Sequence, residues 1–212
     1  MKVYYETELG KLYHGDCLEI MPHLEPVDLV LTDPPYNVGV KYGEGTNDNK
    51  TQDEFITWIK PRFVLMRNLS KTVLITGQRG LPLYPLIEPW KWVLAWYKPA
   101  AMGRSAVGYC NFEPIGMWGK GCKGGVDVIK APIKPDKTLC GHPCPKPLGW
   151  ALGQLHLFKH YTSILDPFLG SGTVAVACEH LNRRWIGIEI EEKYCEIATK
   201  RIEQERKQLK MF

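Results

Sequence analysis

Long apolar segments are missing from this sequence, since no run reaches the ~18 residues that a transmembrane helix requires. The N-terminal stretch MKVYYETELGKLY has no apolar core of signal-peptide length. Internal repeats and low-complexity tracts are absent as well. We therefore predict a soluble, cytoplasmic protein with no membrane partner.

Paired cysteine motifs are also missing. The seven Cys are odd in number, and none forms a Cys-x2-Cys pair. This pattern indicates reduced thiols and not a disulfide framework. The cluster of Cys140, His142 and Cys144, with Cys110 and Cys122 upstream, could supply zinc ligands. Because standard hook spacing is absent, we predict that the protein binds no metal.

Positive charge is concentrated in the middle of the chain. Residues 90–147 hold nine Lys and Arg against three Asp and Glu, whereas the whole 212-residue chain has a net charge of only +4. A basic patch on a near-neutral body suits a polyanion such as nucleic acid, and we take Lys120, Lys123 and Lys130 as candidate DNA contacts. The alternative is a solvated, lysine-rich loop region.

Short apolar runs alternate with amphipathic segments along the chain. Buried strands are predicted at 28–31, 72–76, 92–97, 163–165 and 185–190, with a further short strand at 112–118. Helices are predicted at 53–69, at 148–159, at 173–181 and from 191 onward. We expect Pro61 to kink or split the first helix, and we expect 37–52 to be a mobile loop. Such alternation predicts an α/β fold with a mostly parallel sheet covered on both faces.

The first motif, Asp33-Pro34-Pro35-Tyr36, follows the strand at 28–31. Methyl transfer to an aromatic amine needs assistance, because the nitrogen lone pair is delocalised into the ring. Two acceptors that bind both amino hydrogens help that nitrogen to become tetrahedral. Asp33 offers a carboxylate and Pro34 a carbonyl, while Pro35 restricts the local backbone. Tyr36 offers a flat face for a base; the alternative is a Pro-Pro turn with a core tyrosine.

The second motif, at 166–173, reads Asp-Pro-Phe-Leu-Gly-Ser-Gly-Thr, and Glu189 ends the next predicted strand 17 residues beyond Gly172. Gly170 and Gly172 allow a ligand to approach the backbone closely. An acid at this distance can accept hydrogen bonds from both hydroxyls of a ribose. Ala175 supplies a third small residue, so a nicotinamide cofactor remains open on this motif alone. No Gly-Lys-Ser/Thr follows, so a Walker phosphate loop is excluded.

Together these motifs resemble those of the DNA amino-methyltransferases. Their order resembles the circularly permuted beta group, in which the Asp-Pro-Pro-Tyr motif precedes the target-recognition region and the Phe-x-Gly-x-Gly motif comes late. The segment 142–147 resembles the family's His-Pro-x-x-Lys-Pro, Gly15-Asp16 resembles a short upstream motif, and Phe112-Glu113 resembles a pocket motif. The resemblance covers roughly 11–36, 72–120 and 140–200.

The resemblance implies a single, circularly permuted, Rossmann-like S-adenosylmethionine-dependent methyltransferase domain over 1–212, with a short target-recognition insertion at about 98–140. It implies methylation of the exocyclic amino group of a base flipped out of DNA, with adenine N6 as the expected target. The catalytic residues would be Asp33, Pro34, Pro35 and Tyr36. The implied S-adenosylmethionine contacts are Asp16, Cys17, His142, Lys146, Asp166, Phe168, Gly170, Ser171, Gly172, Thr173 and Glu189.

Two departures from the family bear on its partners and its alternatives. Cys144-Pro145 stands where the family commonly has Thr-Gln, and the recognition region is short. Sequence discrimination would then be limited or would need a homodimer; a cognate restriction endonuclease is a further expected partner beside DNA. An N4-cytosine methyltransferase is the alternative, although that activity more often has Ser at the position of Asp33. Glutamine-amide methyltransferases are less similar, because they have Asn at the position of Asp33 and their cofactor motif precedes the Pro-Pro-Tyr motif. A non-catalytic nucleic-acid-binding module is a further alternative, but such a module would not need both motifs to be intact.

Overall fold

The computed structural model describes residues 2–43, 48–77, 81–99, 101, 103–106, 108–122, 124–133, 141 and 143–209. Within these residues the strands are β1 (Val3–Glu6), β2 (Gly10–His14), β3 (Val27–Thr32), β4 (Ser70–Thr76), β5 (Trp92–Tyr97), β6 (Arg104–Ser105), β7 (Gly108–Tyr109), β8 (Phe112–Gly119), β9 (Val128–Lys130), β10 (Ser163–Asp166) and β11 (Arg184–Glu189). The α-helices are α1 (Cys17–Ile20), α2 (Gln52–Leu69), α3 (Leu148–Leu157), α4 (Thr173–His180) and α5 (Glu192–Leu209). Short 3-10 helices cover Met21–His23 and Leu81–Leu86.

The main sheet has the order β1-β2-β11-β10-β3-β4-β8-β5-β9. The five strands from β2 to β4 in this order are mutually parallel, whereas β1 and β8 run antiparallel to their neighbours. β9 joins β5 in parallel, and β6 and β7 form a separate hairpin. The predicted α/β fold with a mostly parallel sheet is confirmed.

Helices cover both faces of the central strands. Trp150, Cys178 and Ile202, from α3, α4 and α5, join one buried cluster with sheet residues such as Leu31. Phe63 of α2 joins the other cluster. None of the described helices is long and apolar enough to cross a membrane.

Helix α2 differs from its predicted form, because it continues through Pro61 without a break. Thr51 caps its first turn in a reciprocal capping box with Glu54. Phe55, Ile59, Phe63 and Met66 are all buried against the sheet. This continuous apolar stripe spans the proline and offsets the one backbone hydrogen bond that Pro61 removes.

The elements that sequence patterns missed are short or half-exposed. They are the antiparallel pair of β1 and β2, the four-residue α1, the hairpin of β6 and β7, and the three-residue β9. β2 nonetheless pairs with β11 over five residues, from Gly10 to His14. Within the predicted recognition insertion, β8 and β9 both belong to the main sheet.

Candidate active site

Acidic side chains collect at one edge of the sheet. Asp33 directly follows β3, Asp166 and Glu189 end β10 and β11, and Asp16 comes two residues after β2. Because these four strands are parallel, their carboxyl ends meet at the same edge, where ligands bind in such folds. Strand β8 runs in the opposite direction, so its second residue, Glu113, reaches this edge as well.

A cavity of about 340 Å³ opens at this edge of the sheet. Its size falls within the roughly 300–1,000 Å³ of small-molecule sites. The predicted site residues that line it are Asp16, Cys17, Asp33, Pro35, Lys146, Asp166, Phe168, Gly170, Ser171, Thr173 and Glu189. Gly172, Pro34 and Tyr36 are not part of the lining. Tyr36 instead donates its hydroxyl to Asp33, which does line the cavity. The structure thus gathers most of the predicted residues around one cavity.

The turn between β10 and α4 is shaped by two glycines and one acid. The Gly170 N–H donates to Glu189 Oε2 at 2.7 Å, and the Glu191 N–H donates to Glu189 Oε1 at 2.8 Å. Gly172 has φ = +84°, and a Cβ there would lie 2.9 Å from the Cβ of Ala198 in α5. Only glycine fits this close helix contact. Glu189 therefore holds the turn in place, and burial raises the pKa of its carboxyl.

The segment before α3 is tied to the same turn. Thr173, the first residue of α4, donates its hydroxyl to the carbonyl of Lys146 at 2.9 Å. Arg201 of α5 donates to the Ser171 hydroxyl at 3.1 Å. Cys144 lines the cavity close by, where burial raises the pKa of its thiol.

Asp16, Arg62 and Trp58 line another part of the cavity. Asp16 caps α1 through the Leu18 N–H at 2.8 Å and pairs with Arg62 of α2 at 2.7 Å. The Arg62 guanidinium lies 4.6 Å from the ring centroid of Trp58, which in turn packs 5.8 Å from the ring of Phe168. Sequence patterns did not single out Trp58 or Arg62. An apolar–aromatic surface beside an acid suits a flat heterocycle joined to a sugar.

Asp166 is buried, with 4% of its surface exposed, and it lines the cavity. Its Oδ1 accepts from the Thr32 hydroxyl at 2.6 Å and from the Phe168 N–H at 3.1 Å. Burial raises the pKa of Asp166 to about 7, although both hydrogen bonds act to lower it.

Asp33 has donors on both of its oxygens. Tyr36 donates its hydroxyl to Oδ1, and Lys146 donates its ammonium to Oδ2. The Lys146 ammonium also lies 5.1 Å from the centroid of the Tyr36 ring. Burial raises the pKa of Asp33, while Lys146 and Tyr36 oppose that rise. The ion pair with Lys146 favours the charged carboxylate that an amino group could use as an acceptor.

A second ion pair, between Lys98 and Glu113, lies next to the hydroxyl of Tyr36. Lys98 Nζ is 2.7 Å from Glu113 Oε1, and the two side chains are only 7% and 13% exposed. Glu113 Oε2 lies 3.3 Å from the Tyr36 hydroxyl. Sequence reasoning noted Glu113 within a motif but gave it no role, and it missed Lys98. A lysine directly after the apolar strand WVLAWY was the available signal.

The structure does not bring the predicted DNA contacts together. Lys130 ends β9, which is parallel to β5, and so lies at the cavity edge of the sheet. Lys120 follows the other end of β8. At about 3.3 Å per residue, the eight residues of β8 separate Lys120 from the cavity edge by roughly 25 Å. Its N–H bonds the Lys71 carbonyl at the opposite edge. Lys123 and His142 lie outside the described residues.

Among the described residues, no group of three or more His, Cys, Asp or Glu is arranged to hold a metal ion. Two members of the cluster considered for zinc, Cys140 and His142, fall outside the part of the chain that the structure describes.

A parallel-centred sheet with a glycine turn, a neighbouring acid and Asp-Pro-Pro-Tyr at its carboxyl edge defines a Rossmann-like protein of the methyltransferase class. Residues 126–200 match the profile of a family described as DNA methylase, the N6/N4 methyltransferases. A relative named Putative methylase YubD, from Escherichia coli strain K12, is 30% identical over 216 residues, which cover 92% of this chain and 90% of YubD. The chain belongs to the N6/N4 DNA methylase family.

Other similar proteins agree with this membership. The Type II methyltransferase M.BamHI of Bacillus amyloliquefaciens is 26% identical across the whole of this chain, which spans only 61% of M.BamHI. The solved M1.HpyAVI–SAM complex has a TM-score of 0.65 and 25% identity, with coverage of 91% of this chain and 100% of that one. The cytosine-N4-specific PvuII DNA methyltransferase has a TM-score of 0.75 at 17% identity, with coverage of 94% and 88%. At that identity the PvuII likeness shows the fold alone.

Proposed function

We propose that this chain transfers a methyl group from S-adenosylmethionine to N6 of adenine at a specific site in DNA. The observation that carries the proposal is that Asp33 and the Glu189–Gly170 turn line one cavity. We assign the Glu189–Gly170 turn to the cofactor and the neighbouring Asp33 carboxylate to the amino group of the target base. Such adjacency is what direct transfer between two bound molecules requires.

The residues around the cavity fit the groups of S-adenosylmethionine. Asp16 and Glu189 offer carboxylates for hydroxyl groups, and Trp58 and Phe168 offer aromatic surface for the purine. Asp166 offers a buried carboxyl for an ammonium group. When bound, the cofactor supplies a methyl group activated by a positively charged sulfur. A structure of the related M1.HpyAVI was solved as a SAM complex, which supports this assignment.

Asp33 and its neighbours would handle the target base. The Asp33 carboxylate and the Pro34 carbonyl accept hydrogen bonds from the two amino hydrogens, which draws the nitrogen lone pair out of the ring. The Tyr36 ring supplies a stacking face, and such stacking is worth roughly 1–3 kcal/mol per base. A base inside a duplex cannot reach the sheet edge, so it must flip out.

The choice of adenine rests on Asp33, because the resemblance associates Asp at this position more often with adenine and Ser with cytosine. We further propose one domain over 1–212 with a short target-recognition insertion at about 98–140. Because this insertion is short in sequence, discrimination of the target site would be limited or would need a second copy of the chain. We also propose that the methyltransferase functions alongside a cognate restriction endonuclease. Light scattering with and without DNA tests the homodimer.

The product of the reaction tests the proposed function. The purified protein is incubated with labelled S-adenosylmethionine and unmethylated genomic DNA, and the digested DNA is examined by mass spectrometry. N6-methyladenine is the expected product. N4-methylcytosine would overturn the base assignment and keep the mechanism, whereas 5-methylcytosine or unmodified DNA would overturn both.

A further inference from the structure

The hydroxyl group of Tyr36 lies between two carboxylates. It donates to Asp33 Oδ1, and Glu113 Oε2 is 3.3 Å from the same hydroxyl oxygen. A tyrosine hydroxyl has a single proton to donate. Asp33 and Glu113 are therefore alternative acceptors for one donor. The shorter contact assigns the bond to Asp33 in this structure.

Glu113 is held as an acceptor by Lys98. The ammonium group contacts Oε1 at 2.7 Å, which leaves Oε2 facing Tyr36. Strand pairing fixes the backbone that carries each side chain, since Glu113 is the register partner of Trp96, and the Lys98 N–H donates to the Asn111 carbonyl at 2.6 Å. A buried ion pair is weak evidence for a stabilising role, because desolvation cancels much of its attraction. Its position against Tyr36 points to a role in the site.

Both oxygens of Asp33 already accept hydrogen bonds in this structure. The proposed function requires it to accept an amino hydrogen from the target base, yet Tyr36 occupies Oδ1 and Lys146 occupies Oδ2. A carboxylate oxygen that already accepts a strong O–H hydrogen bond is a poorer acceptor for an incoming N–H. The amino group would gain most if the hydroxyl of Tyr36 moved elsewhere.

We propose that Glu113 is a positioning residue that accepts the Tyr36 hydroxyl bond when the target base binds, which frees Asp33 Oδ1 for the amino group. This inference rests on the proposed function. The exchange needs only rotation of the O–H bond, because both acceptors already lie within bonding distance of the hydroxyl oxygen. Lys98 acts through Glu113 by orienting its carboxylate, which it contacts at 2.7 Å.

A double-mutant cycle between Glu113 and the hydroxyl of Tyr36 tests the exchange. Single-turnover methyl transfer to unmethylated genomic DNA is measured for wild type, Glu113→Gln, Tyr36→Phe and the double variant. We expect Glu113→Gln to slow transfer about tenfold or more at unchanged cofactor affinity. In the Tyr36→Phe background the same change should slow transfer less than twofold, because no hydroxyl remains to be moved. Equal slowing in both backgrounds would overturn the proposal, as would full activity of Glu113→Gln.

Two further variants separate this role from a loss of folding. Lys98→Met combined with Glu113→Gln leaves no unpaired buried charge and should show the same dependence on the Tyr36 hydroxyl. If this variant retains the wild-type transfer rate, the proposal fails. Glu88→Gln is the matched control, because Glu88 pairs with Arg67 at 3.0 Å away from the cavity, and its change should leave the rate intact. A wild-type protein that methylates no DNA would instead refute the proposed function.

Discussion

The Glu189 carboxylate both holds the glycine turn and faces the proposed cofactor cavity, so its removal provides a quantitative test of the cofactor site. Its two oxygens accept from the N–H groups of Gly170 and Glu191 at 2.7 and 2.8 Å, and it lines the cavity with 7% of its surface exposed. Each oxygen has a further lone pair that can accept from a ribose hydroxyl. We expect Glu189→Ala to weaken cofactor binding and to loosen the glycine turn.

Typical hydrogen-bond energies set the expected size of both effects. Hydrogen bonds to a charged group contribute about 1.5–3 kcal/mol, so losing the ribose contacts should raise the Kd for S-adenosylmethionine roughly ten- to a hundredfold. Each backbone N–H left without its acceptor costs about 1–3 kcal/mol, which lowers the free energy of unfolding as well. Glu189→Gln keeps one acceptor oxygen but turns an amide donor toward the second N–H, so it should lie between wild type and Glu189→Ala.

Isothermal titration calorimetry gives the Kd, and urea unfolding gives the stability of the same samples. Glu192→Ala is the matched control, because this exposed residue begins α5 only three positions further on. It should leave both quantities near their wild-type values. A folded Glu189→Ala protein with wild-type cofactor affinity would refute the assignment of Glu189 to the cofactor.

The remaining predictions concern catalysis, pH and DNA. Asp33→Ala should abolish methyl transfer while calorimetry shows nearly unchanged cofactor affinity; a parallel loss of both would indicate a structural role. Burial raises the pKa of Asp166 from 3.8 to about 7, so the unfolded carboxyl releases a proton that the folded one keeps. Stability to urea should therefore fall as pH rises from about 4 to 7, and Asp166→Asn should flatten that fall; an unchanged slope would contradict the shift. Lys130→Glu should weaken duplex binding and reduce its salt slope by about 1, whereas Lys120→Glu, at the opposite sheet edge, should change both less. Equal effects of the two reversals would refute the placement of DNA at the cavity edge.

Local patterns predicted much of this fold because they report on burial within single segments. The run WVLAWY at 92–97 coincides with β5, and the strands predicted at 72–76 and 185–190 match β4 and β11 within two residues. Asp33 follows such a run and Glu189 ends one, and the parallel order of the strands brings both acids to the same edge of the sheet. Cavity residues that depend on one strand and its following turn could therefore be found without a structure.

Residues that reach the cavity from elsewhere could not be found in this way. Arg62 arrives from the middle of α2, where it reads as an ordinary surface cation of an amphipathic helix. Glu113 and Lys98 meet only because β8 runs antiparallel between β4 and β5. That pairing joins segments distant in sequence, so no local periodicity specifies it. Their low side-chain exposure, 7% for Lys98 and 13% for Glu113, is likewise visible only in the folded chain.

The loop after Tyr36 shows how one buried carboxylate can override composition. Its Gly- and Asn-rich sequence predicted mobility, yet Asp48 is 4% exposed and accepts from the backbone N–H groups of Asn37, Val38 and Val40. The described start of the loop is therefore fixed directly beside Tyr36. Asp48 holds the backbone of Asn37, directly after Tyr36, and Glu113 Oε2 lies 3.3 Å from the Tyr36 hydroxyl. The motif supplies the reactive groups, while carboxylates outside the motif set the precision with which those groups are presented.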